Sequence, residues 1–152
     1  MTSLNRILLT SSDLELFKNI GIGSFLFGNP PTAEKPELDV ALIFPNSTNI
    51  EEERRLLEEK VRQFEEKHGL KVDGWIMTLL GWIDRQSRIF GSFPHEPMYV
   101  DDLETWDKPA YLPLWGKELI MAQMNYCKTH PVKEGILPPA PENRFGSGTE
   151  AK

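Results

Sequence analysis

Cysteine is almost absent: Cys127 stands alone in a chain of 152 residues. No disulfide can form within the chain, which fits a reducing compartment. Long apolar runs are missing too, and none approaches the roughly 20 residues that a membrane helix needs. There is no excess of positive charge. Lys and Arg number 17 against 23 Asp and Glu, a formal net charge of −6. That sign argues against a protein whose main task is to neutralise nucleic-acid phosphates. The start, Met1 to Leu9, lacks the basic region, apolar run and small-residue cleavage site of a signal peptide. What is present is 39% hydrophobic and 10% aromatic, too apolar for a disordered or collagen-like chain. The length suits one domain with one core. We therefore expect a soluble cytoplasmic domain of mixed α/β class: a small mixed β-sheet flanked by helices, with no membrane partner.

Ser11 and Ser12 can cap a short helix through Leu14, Leu16 and Phe17. Ile20 to Phe27, apolar but interrupted by glycines, reads as a buried strand running into a turn. Three prolines between Gly28 and Pro36 exclude helix and central strand. Glu37 to Phe44 resumes as a strand, polar at alternate positions first and fully apolar afterwards. Thr48 and Glu51 have capping-box spacing for a helix whose core stripe is Leu57, Val61 and Phe64 and whose end is Gly69. Leu70 to Leu80 reads as a strand, and strand–helix–strand order favours parallel neighbours. From Gly81 to Pro113 the pattern weakens, with Met98 to Val100 as a short extra strand. Leu114 to Lys128 is expected to be helical. The segment 131–152, rich in proline and glycine, is expected to have no fold of its own.

The chemistry-bearing pattern is Gly23-Ser24, twelve further residues, then Glu37-Leu38-Asp39-Val40. Side chains at i and i+2 of a strand share a face, so Glu37 and Asp39 project together about 7 Å apart. Adjacent carboxylates repel unless a cation lies between them, and oxygen ligands suit Mg²⁺. A Gly-Ser turn can aim backbone N–H groups and a hydroxyl at a phosphate. Asp73 adds a third acid on the next strand. If that strand pairs with the first acidic one, three acids converge; otherwise Asp73 is a strand-end acid with a local hydrogen bond.

This arrangement resembles the nucleotidyltransferase superfamily typified by DNA polymerase beta, particularly its minimal one-domain members. The resemblance covers Ile20 to Thr78, with a looser likeness at Trp115-Gly116 opening a late helix, and implies a nucleotidyltransferase-like domain over 1–130. It implies transfer of a nucleoside monophosphate from an NTP, ATP foremost, to a hydroxyl, with release of pyrophosphate. Gly23 and Ser24 would hold the triphosphate. Glu37, Asp39 and Asp73 would be the catalytic carboxylates and would hold Mg²⁺ or Mn²⁺. Two cations stabilise in-line displacement, one beside the attacking oxygen and one beside the leaving oxygen. The implied acceptor is a protein or small molecule, and a small helical partner chain or a second copy of this one would complete the site. Two departures bear on rate. Glu37 stands where the family has Asp, moving the carboxylate outward by roughly 1.5 Å, and misplacement on that scale costs on the order of 100-fold. Pro36 stands where the family has Ser.

Two other readings accompany this one. A catalytically silent module of the same fold would bind a nucleotide, or hold a protein partner through surface aromatics including Trp106 and Trp115. An unrelated α/β domain would simply leave the acids facing water. Trp75 and Trp82 are core residues or nucleobase grips, and Arg85, Arg88 and Lys117 are the candidate cations for phosphate. His68 reads as a helix-dipole partner, and His95 and His130 lie beside prolines without zinc-ligand spacing. Cys127 reads as a packed small hydrophobe.

Overall fold

The computed structural model describes residues 6–92, 98–133 and 143–148. Five strands form one mixed sheet: β1 (Gly23–Gly28), β2 (Glu37–Phe44), β3 (Lys71–Thr78), β4 (Ala110–Trp115) and β5 (Arg144–Phe145). Their spatial order is β4-β1-β2-β3-β5. Helix α1 (Ile50–His68) connects β2 to β3, which run parallel, whereas β1 is antiparallel to β2 and to β4. The mixed α/β class read from the sequence is what forms. Among the described residues no helix is long and apolar enough to cross a membrane.

The sheet is covered on both sides. Leu26, Leu38, Val40, Leu42, Val72 and Ile76 pack one face against Leu14, Phe17, Leu57, Val61 and Phe64. Phe25, Ala41, Ile43 and Met77 pack the other against α2 (Leu79–Ser92) and α3 (Lys117–Thr129), through Trp82, Phe90, Ile120, Met124 and Cys127. This explains the two halves of β2. Its alternate residues Leu38, Val40, Leu42 and Phe44 always meet a core, while on the opposite face only Ala41 and Ile43 do.

Several local expectations are corrected. The first helix is a 3₁₀ segment over Ser12–Phe17, and Ser11 makes no side-chain cap. Helix α1 is capped by Asn49, whose side chain accepts from the Glu52 N–H at 3.1 Å, rather than by a Thr48–Glu51 box. Gly69 does end it in a left-handed conformation. The weak stretch after Gly81 holds most of α2, which follows β3 without a loop, and most of β4. Pro113 is tolerated in β4 because that strand lies at the sheet edge. Leu114 and Trp115 are strand rather than helix. Within the segment expected to lack a fold, Arg144–Phe145 adds the fifth strand by pairing with Gly74 and Trp75.

The cap makes a simple test. Asn49→Ala should lower unfolding free energy by about 1 kcal/mol, and Thr48→Ala should stay within about 0.5 kcal/mol, both read from urea denaturation.

Candidate functional site

The face of β2 that carries Ala41 and Ile43 toward the helices carries Glu37 and Asp39 at its start, before the helix layer begins. Parallel register sets Asp39 opposite Asp73 and Glu37 opposite Lys71. One carboxylate oxygen from each of Glu37, Asp39 and Asp73 lies within 4.8 Å of the other two. Asp73 is buried, at 2% exposure, and the other two are half-buried. The three acids picked out in the sequence are thus brought together. The extra methylene of Glu37 does not carry its carboxylate out of the group.

The donor set fits a hard cation, for it is all oxygen and anionic. Opposite ligands of one Mg²⁺ stand about 4.2 Å apart, twice the usual metal–oxygen distance. Adjacent ligands stand about 3.0 Å apart, so the three oxygens, now within 4.8 Å of one another, would draw closer together to share one ion.

The glycine turn beside the acids is not the one expected. Gly23 pairs with Ile43, and a Cβ there would stand 2.8 Å from Ile120 Cδ1. It lies four residues along the sheet from the Phe27–Asp39 pair, about 13 Å away. Ser24 points to the opposite face, is fully buried and donates its hydroxyl to the Phe17 carbonyl at 2.5 Å. The expectation that Gly23 and Ser24 cradle phosphate is corrected: both pack the core. At the other end of β1, Gly28 has φ +78°, and a Cβ there would stand 3.0 Å from Asp39 Oδ2. Only glycine gives that backbone both its conformation and its clearance. The Gly28 carbonyl accepts from Trp106 Nε1 at 3.0 Å, which fixes the turn.

A residue that sequence reasoning missed completes the group. The guanidinium of Arg144, on β5, donates to Asp73 Oδ1. Its only advance signal was a lone arginine in a Pro/Gly-rich segment, which carries no periodicity to read.

Aromatic side chains continue the same face beyond the acids. Phe27 and Trp75 meet edge-on at 5.3 Å between ring centroids. With Phe25, Trp82, Arg85 and Tyr111 they line a cavity of about 80 Å³. Apolar cavities that admit benzene are about 150 Å³, so a nucleobase would enter only with side-chain movement. The Arg85 guanidinium lies 4.3 Å from the Trp75 ring centre and that of Arg144 5.4 Å. Burial, then the Arg144 charge, lowers the Arg85 pKa from its ordinary value.

The remaining candidates lie elsewhere. Arg88 pairs with Asp84, and Lys117 with Asp101 at 2.9 Å. Trp106 is 1% exposed and so cannot present a docking surface, whereas Trp115 is 36% exposed. His68 sits against Phe64 and 3.9 Å from Asp13, and His130 stacks on Tyr126. Burial raises the Cys127 pKa, as befits a packed thiol. His95 lies outside the described residues.

Compared with known proteins, the chain matches no family model, no curated protein and no solved structure.

Two variants separate the turns. Ser24→Ala should cost about 1–3 kcal/mol of stability through the buried Phe17 carbonyl, yet leave any Mn²⁺-induced thermal shift intact. Gly28→Ala should press on Asp39 and reduce that shift, as scanning fluorimetry with and without Mn²⁺ would record.

Proposed function

We propose that the chain is a nucleotidyltransferase dependent on Mg²⁺ or Mn²⁺. It moves a nucleoside monophosphate from ATP or another NTP to a hydroxyl of a protein or small molecule. The observation that carries this reading is the convergence of the Glu37, Asp39 and Asp73 carboxylates within 4.8 Å. They converge on adjacent strands beside the Gly28 turn, which is not the Gly23-Ser24 turn of the resemblance drawn from the sequence. The net charge of −6 favours such acceptors over long nucleic acids. The lone cysteine suits a cytoplasmic setting.

In this reading Glu37 and Asp39 hold the cation that neutralises the phosphates. Gly28, with Asn29 after it, takes the place first assigned to Gly23 and Ser24 and lets the triphosphate approach the backbone. Asp73, beside Asp39, accepts the proton of the attacking hydroxyl. That oxygen bonds to the α-phosphorus as the bond to the bridging oxygen breaks, and pyrophosphate leaves. When bound, the cation supplies positive charge to the attacking and leaving oxygens. A second chain, either a small helical partner or another copy, supplies the acceptor side that α3 alone is too short to build.

The Arg144–Asp73 pair favours a second reading, a catalytically silent module that binds nucleotide, because it engages the proposed base.

Incubation with labelled NTPs and Mg²⁺ or Mn²⁺ distinguishes the two. Incorporation into an acceptor, lowered at least about 100-fold by Asp39→Ala, is the expected result. A thermal shift with nucleotide and cation but no incorporation would favour the silent module. Neither incorporation nor shift would remove both.

A further inference from the structure

We propose that Arg144 is a built-in counter-cation of the carboxylate cluster and yields Asp73 when a divalent cation binds there. This rests on the cation-binding reading of the cluster given above.

The placement of Arg144 is specified from several sides. Gly74 and Trp75 pair with β5, and the Ile76 N–H donates to the Asn143 carbonyl at 3.1 Å. Phe145 is 2% exposed, and its ring fills the space over Gly74, where a Cβ would come within 2.2 Å of it. Next along the chain, Ser147 donates from its N–H and its hydroxyl to Glu65 Oε2, at 2.9 and 2.7 Å. That same oxygen accepts from the Val72 N–H at 2.7 Å. These contacts hold the backbone on both sides of Arg144, while its side chain is 19% exposed.

Electrostatics then assigns the role. Clustered carboxylates raise one another's energy unless a positive charge intervenes, and the guanidinium sits on the most buried of the three. A divalent ion seated among the three carboxylates brings more charge to Asp73 than Arg144 does and repels the guanidinium. The two cations therefore compete for this carboxylate. The released guanidinium stays on the Trp75 face near Arg85, where paired positive charge suits the phosphate oxygens of an incoming nucleotide.

The test compares the wild-type chain with Arg144→Gln and Arg144→Lys by thermal unfolding and by Mn²⁺ titration. Without divalent ions, Arg144→Gln should unfold on the order of 10 °C lower, because a buried charge loses its partner. Mn²⁺ should restore most of that loss, and its affinity should rise about tenfold over wild type. Arg144→Lys, which keeps the charge, should stay near wild type in both. A second readout needs no variant. Mg²⁺ added to the wild-type chain should move the Arg144 guanidinium NMR resonance with the same midpoint as the thermal shift. Equal cation affinity in wild type and Arg144→Gln, or a guanidinium resonance unmoved while Mg²⁺ binds, overturns the proposal and leaves the functional reading standing. Binding of no cation by any of the chains overturns both.

Discussion

Three carboxylates gathered at one corner of a sheet create an electrostatic strain that the rest of this fold has to accommodate. Two unit charges about 4 Å apart interact by about 4 kcal/mol at the effective dielectric of a protein surface. The register of β2 against β3 makes the crowding unavoidable, since it places Asp39 directly beside Asp73 with Glu37 on the same face. No slide of one residue relieves it without turning Leu38, Val40 and Val72 out of the core. The strain is met by positive charge instead. Arg144 engages Asp73. The return of a distant segment to β3 brings that charge and seats Phe145 over Gly74.

Strand direction decides which turn meets the acids. Because β1 runs antiparallel to β2, its last residues lie beside the first residues of β2. Gly28 is therefore next to Asp39, whereas Gly23 and Ser24, at the start of β1, lie beside Ile43 and Leu42 at the far end. The parity of Ser24 then sends its hydroxyl into the core beneath Phe17. A Gly-Ser pair at the beginning of a strand and a glycine at its end carry the same local signal, but only the end reaches the neighbouring strand's start.

Much of this was legible in the sequence. The span of β2, the stripe of α1 and the position of β3 all follow from periodicity, and so does the convergence of Glu37, Asp39 and Asp73 once parallel pairing is granted. Elements without a clean period were not legible. Helix α2 begins directly after β3, contains Gly81 and Gly91, and buries polar Gln86 and Ser87 beside Trp82 and Phe90. Its inward face includes Gln86, whose side chain donates to the Tyr111 hydroxyl at 3.2 Å. Strand β4 carries Pro113, which reads as a breaker until its edge position is known. Arg144 and Phe145 were invisible because a two-residue strand has no pattern of its own; its place is set by the gap over Gly74 and by the charge of Asp73.

The location of the cluster follows from how the helices attach. In open parallel sheets ligands usually gather outside the carboxyl ends of the strands, where loops leave room. Here β3 passes into α2 with no loop, Thr78 to Leu79, and the helix folds back over that half of the face through Trp82 and Phe90. The carboxyl end of the parallel pair is therefore filled with apolar side chains. What the helix layer leaves is the amino end, where β2 and β3 start and antiparallel β1 finishes. Polar side chains at the start of β2 and β3 lie outside the helix layer, buried Asp73 being met by Arg144, and the turn that ends β1 supplies backbone rather than side chain. A single topological choice, one antiparallel strand beside a parallel pair, thus moves the corner of the sheet left open by the helices to the opposite end and puts glycine and carboxylates into it.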